Sequence, residues 1–184
     1  MAFIKDTAFQ FRRSNDRNED LQTVTGLYGS FSGDEFTAED CSAGFLCNKG
    51  KGIPEGGSYM TAAADGSKKL YACNTTDVQR LANGANKWAV GVNTLGLGIP
   101  AGVKGAYTEL VEDETYAFGP GDFSTLVDDT TNTFATVANG MLVGAAAAPA
   151  SGYYFELDTE LGIDWFTEGN GNAFKRYNLV LKKA

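Results

Sequence analysis

The sequence predicts an all-β protein: a β-sandwich or β-barrel-like domain with one short helix and an extended N-terminal arm. Short apolar runs rich in Val, Tyr, Phe, Thr and Leu recur along the chain, each bounded by Gly, Asn, Asp or Pro. Glycine is abundant, at 23 of 184 residues, and proline scarce, at 4, which suits many strands joined by glycine turns. One segment alone carries helix start and stop signals.

Residues 1–33 form a distinct opening. Phe9 and Phe11 alternate with polar residues as in a short strand. The polar stretch Arg12 to Asp20 follows, beginning with Arg12 and Arg13, and then Val24, Leu27, Tyr28 and Phe31 stand among turn formers. Lys5, Arg12, Arg13 and Arg17 balance Asp6, Asp16, Glu19 and Asp20, so the opening is neutral and the rest of the chain carries the whole formal charge of −8. This neutral, aromatic segment reads as an arm that grips a partner, with Phe9, Phe11, Arg12, Arg13, Leu27, Tyr28 and Phe31 as its contact residues. The alternative is a plain N-terminal strand of the domain.

Residues 34–184 read as the β-rich domain. Strand candidates are 44–48, 69–74, 87–92, 106–111, 115–119, 133–137, 140–144, 152–157 and 176–181. Only the acidic Glu112-Asp113-Glu114 separates 106–111 from 115–119, which suggests a hairpin. Asn139-Gly140 is a favoured two-residue turn between the strands flanking it. Thr75-Thr76-Asp77, then Val78 and Leu81 at i and i+3, then Gly84, is the helix candidate. Gly44 to Cys47 and Gly140 to Val143 echo each other, each followed by a small-residue loop and an aromatic strand.

The chain contains no histidine. Ser-His-Asp and Cys-His mechanisms are therefore excluded, and so is the commonest zinc and iron ligand. No catalytic residue, metal site or cofactor is expected. Cys41 and Cys47 are spaced C-x5-C and with Cys73 offer three sulfurs, a spacing that fits no standard metal knuckle. They read as small apolar core residues, and an odd cysteine count is compatible with reduced thiols in a cytosol. Glu112 to Glu114 and Asp128-Asp129 lack the order of a calcium loop and read as solvated turns. Gly96 to Gly102 lacks the Gly-Lys-Ser/Thr of a phosphate loop and reads as a glycine turn. A pI near 4.5 disfavours direct nucleic-acid binding. No apolar stretch is long enough for a membrane-spanning helix, and the opening has no continuous apolar run of a signal peptide.

Three stretches together resemble a family. They are Phe36 to Cys47; Leu70 to Asn74 running on to Trp88-Ala89-Val90-Gly91 and Asn93 to Gly102; and Asn139 to Gly144 with the alanine-proline loop to Ala150 and Gly152-Tyr153-Tyr154-Phe155. From about residue 34 onwards the chain resembles head decoration, or capsid cement, proteins of tailed bacteriophages. The resemblance implies a structural virion protein, made in the bacterial cytoplasm, that binds the outside of the capsid. Its partner would be the major capsid protein, and it would act as a homo-oligomer, with a trimer favoured. Two other readings stand beside it. One is a phage tail, fibre or baseplate component. The other is a glycan-binding β-sandwich, for which Trp88, Trp165, Tyr153 and Tyr154 are the stacking candidates, with core filling as their default role.

Overall fold

The computed structural model describes residues 10–13, 23–74, 78–80, 88–90, 98–167 and 173–184. Their first nine strands are β1 (Gln10–Arg13), β2 (Thr23–Ser32), β3 (Glu35–Ala38), β4 (Cys41–Ser42), β5 (Leu46–Gly52), β6 (Ser58–Ala62), β7 (Tyr71–Asn74), β8 (Val78–Arg80) and β9 (Trp88–Val90). The remainder are β10 (Gly98–Ile99), β11 (Gly105–Glu109), β12 (Thr115–Phe118), β13 (Phe123–Thr125), β14 (Phe134–Ala138), β15 (Met141–Ala145), β16 (Tyr153–Leu157), β17 (Ile163–Thr167) and β18 (Ala173–Lys183). The expected all-β, barrel-like architecture is what the chain adopts.

Two sheets organise these strands. The first runs β11-β7-β5-β6-β2-β3, and β11 also pairs with β2. That extra pairing closes β11, β7, β5, β6 and β2 into a small barrel, with β3 appended to β2. Closure satisfies edges that would otherwise stand open. The second sheet runs β1-β12-β18-β16-β14-β15-β13, with β17 also on β18, and curves as a half-barrel.

Strand alternation then sorts side chains into two cores. On β5 and β7, Cys47, Tyr71 and Cys73 belong to a cluster with Tyr28, Cys41, Met60, Ile99 and Tyr107 inside the barrel. Their neighbours Leu46, Leu70 and Ala72 take the opposite face, with Phe118, Phe123, Phe155, Leu142, Leu179 and Leu181 of the larger sheet. The barrel wall is therefore apolar on both faces where it meets the half-barrel. Backbone hydrogen bonds lock the junction, from Leu46 N to Gly140 O (2.8 Å), Gly140 N to Ala63 O (2.7 Å) and Tyr153 N to Gly66 O (2.7 Å).

The Asn139-Gly140 turn forms as expected between β14 and β15, with φ of 49° and 80° at its two residues. Gly140 is also needed for space, because a Cβ there would lie 2.2 Å from the Phe45 ring. The two echoing segments thus touch.

Several expectations are corrected. Residues 23–32, assigned to the arm, form β2, which pairs with β3, β6 and β11. Residues 10–13 pair with β12 at the edge of the other sheet. The boundary at residue 33 therefore cuts through a hairpin of the barrel, and the strand alternative holds for both described stretches. The helix is corrected in its described part: Val78–Arg80 is a strand, antiparallel to Trp88–Val90. Val78 and Val90 are β-branched residues that suit a strand, and two apolar positions give a helix little face to bury. Residues 75–77 and 81–87 lie outside the described residues. Finally, β11 and β12 are not a hairpin. Residues 110–114 carry the chain from the barrel to the half-barrel, where β12 pairs with β18 and β1. Asp113 takes φ 66° there; Glu112 and Asp113 are exposed, as expected of a solvated turn, while Glu114 is buried.

Candidate partner-binding groove

β2 and β3 meet at the tight turn Gly33-Asp34, with Gly33 at φ 64°. The register sets Phe31 opposite Phe36. On the other side of β2, the parallel pairing with β6 sets Leu27 opposite Tyr59. Leu27, Phe31, Phe36 and Tyr59 therefore share one face, the outer wall of the barrel away from the half-barrel. Phe36 and Tyr59 stack at 4.4 Å between ring centroids, and Phe31 contacts both, at 5.1 and 5.4 Å. Aromatic pairs of this kind gain about 0.5–1.5 kcal/mol beyond area burial.

These rings line a groove of about 710 Å³ with Leu27, Gly50, Thr61, Lys51 and Asp34. Phe31 is 44% exposed. A side chain of that size left open at the rim of an apolar groove is a recognisable contact feature. Gly29 leaves room for the Phe36 ring: a Cβ there would lie 2.0 Å from Thr37 O and 2.7 Å from the tip of that ring. Among the described residues β3 pairs with β2 alone, so its other edge is open beside the groove.

Of the residues expected to grip a partner, Leu27 and Phe31 lie in this groove. Tyr28, by alternation, points into the barrel and packs on Phe45 at 5.7 Å, edge to face. Burial, and then the neighbouring Cys47 and Cys41, push its phenol well above the ordinary range. Phe11, Arg12 and Arg13 lie on β1 in the other sheet, and Phe9 lies outside the described residues. The seven are therefore not one surface. Phe36 and Tyr59 were not anticipated, although two phenylalanines flanking Gly33-Asp34 at matched distances are a hairpin signal that points to Phe36.

The glycan candidates are scattered. Trp165 is 66% exposed on β17. Tyr153 lies under Lys183 Nζ, 5.3 Å from its ring centre, beside a smaller groove of about 380 Å³. Tyr154 packs on Phe134 at 6.1 Å. The Trp88 side chain lies outside the described residues.

The second acidic turn has a structural task. The Asp128 carboxylate accepts backbone N–H groups of Thr130, Thr131 and Asn132 and the Thr130 hydroxyl. The Thr131 bond, then the Thr130 bond, hold its pKa down at about 2. Compared with protein-family models, curated proteins and solved structures, the chain matches none of them.

Proposed function

We propose that this chain is a structural protein of a bacteriophage head, binding the outside of the capsid and bracing contacts between major capsid subunits. The observation that carries the reading is the aromatic groove beside an open strand edge. An extended capsid segment would add along β3, where backbone hydrogen bonds supply affinity, and set its apolar side chains among Phe31, Phe36 and Tyr59. The resemblance of residues 36–47, of 70–74 with 88–91 and 93–102, and of 139–150 with 152–155 to head decoration proteins supplies the phage setting, and the acidic charge keeps such a protein soluble at high local concentration.

The test is addition of the purified chain to expanded, undecorated shells. The account expects binding and a rise in shell melting temperature. Shells indifferent to saturating protein would refute it. A tail component would instead appear on tails in electron micrographs of the virion, and a glycan-binding module would lose a sugar ligand on Trp165→Ala.

A further inference from the structure

The barrel interior holds an unusual set of side chains. Cys41, Cys47 and Cys73 are all free thiols, and all are within 1% of complete burial. The topology brings them together from three strands. Cys47 and Cys73 share the inner face of the adjacent strands β5 and β7. Cys41, on β4, is folded back over them, so that the Cys73 thiol lies 3.7 Å from the Cys41 carbonyl oxygen. Tyr107 sits directly across from Cys73 in the β11–β7 ladder. Its hydroxyl is fully buried and has no hydrogen-bond partner. A buried, orphaned hydroxyl costs about 1–3 kcal/mol, so it calls for an explanation.

A thiolate at Cys41 supplies one. Burial by itself would raise the Cys41 thiol, but Cys47, Cys73 and Tyr107 beside it, each able to donate a hydrogen bond to an ionised sulfur, outweigh it and bring its pKa down to about 5. The other two thiols move up, Cys47 by burial first and Cys73 by its hydrogen bond to Cys41 first. An ionised Cys41 sulfur would be the acceptor that the Tyr107 hydroxyl lacks.

The cover over Cys41 is slight. β4 is two residues long and its strand ladder among the described residues is with the two residues of β10, with Ile99 packed on the cluster. The bond from Ala101 N to the Asp40 carboxylate (2.8 Å) ties the same flap, and the bond from Glu39 N to the Tyr28 carbonyl oxygen (3.0 Å) holds its start. Short ladders of this kind open locally at a fraction of the global unfolding free energy. Opening admits a small molecule to Cys41 first. Among the described residues no three Cys, Asp or Glu side chains are arranged to hold a metal ion.

We infer that the barrel interior is a redox site, in which Cys41 reacts with hydroperoxides and closes a disulfide with a neighbouring thiol, Cys47 or Cys73. The Cys41 thiolate attacks the peroxide, an S–O bond forms and the O–O bond breaks, leaving a sulfenic acid and hydroxide. The second thiol then attacks the Cys41 sulfur. An S–S bond forms, the S–O bond breaks, and the departing hydroxide takes up the thiol proton as water. Two thiols lose two electrons and two protons, and one hydrogen peroxide becomes two waters. The bond fastens β4 to the barrel wall and so stiffens the flap. This chemistry is independent of the capsid reading.

The experiment treats the native full chain with hydrogen peroxide and reads intact mass and peptide maps. The expected product has lost two hydrogens, contains Cys41 cross-linked to Cys47 or Cys73, and is restored by a dithiol reductant. Cys47→Ser and Cys73→Ser identify the partner, since one of the two abolishes the cross-link found in the parent. The double variant Cys47→Ser/Cys73→Ser should stop at a sulfenic acid on Cys41 that dimedone traps. Cys41→Ser should lose no hydrogens while keeping a cooperative melting transition. A cross-link joining Cys47 to Cys73 in that variant, or thiols that react only after denaturant is added, would overturn the proposal.

Discussion

The two cores of this molecule are built from different materials. The half-barrel core is made of Leu, Phe, Val and Ala, with Phe118 and Phe155 edge to face at 5.5 Å and only Tyr116 and Tyr177 bringing hydroxyls. The barrel core is made of three cysteines, three tyrosines, Met60 and Ile99. The first contains none of the three cysteines. The second is a small closed barrel filled with polarisable and ionisable groups. Interior space in a barrel of few strands is limited, and small thiols fit it as well as larger apolar side chains do. The difference teaches that scaffold and chemistry are separated: the half-barrel supplies stability, while the barrel carries the groove on its outer wall and the thiols within.

That division is open to attack, beginning with the largest expected effect. Deleting residues 1–33 removes β2, which bonds to three strands of the barrel. The barrel should open, and the truncated chain should lose its cooperative thermal transition by circular dichroism. A truncated chain that melts like the parent would mean that β2 is dispensable. Next, Phe155→Ala in the half-barrel should cost about 3–5 kcal/mol in a denaturant titration, because a fully buried ring leaves a cavity. Met60→Ala should cost about 2–5 kcal/mol in the barrel, and if it proves the larger of the two, stability resides in the wrong half. Phe31→Ala, on a half-open ring, should shift stability by less than about 1 kcal/mol while abolishing shell binding. The smallest effect belongs to Asp128. Its folded pKa, about 2, lies below the ordinary 3.8, so its contribution is present above about pH 4 and fades as the pH falls towards 2. Asp128→Asn should flatten that part of the stability profile, and a carboxyl titration by NMR checks the midpoint.

Much of this was legible in the sequence. Alternation and turn residues marked most strands, and Asn139-Gly140 named its own turn. What local pattern did not carry was partnership. Residues 106–109 and 115–118 look like a hairpin because three acidic residues separate them, yet they belong to different sheets. Strand pairing is a long-range choice, and a loop of the same length serves a hairpin or a crossing between sheets. The opening misled for a related reason. A neutral charge balance reads as a separable arm, but Tyr28 and the long β2 are held by partners distant in sequence. Val78 shows the limit of helix signals, since a capping motif over so short an apolar face yields to strand pairing with residue 90. In the groove, Leu27 and Phe31 were visible, whereas Tyr59 reaches them only through the parallel β2–β6 pairing, which has no local signature.

The central claim is that the outer wall of the barrel is a contact surface. A high-resolution image of the chain bound to an expanded shell tests it most directly. The account predicts Phe31, Phe36 and Tyr59 buried against a capsid subunit, with a strand added along β3. A bound chain whose groove faces solvent would contradict it.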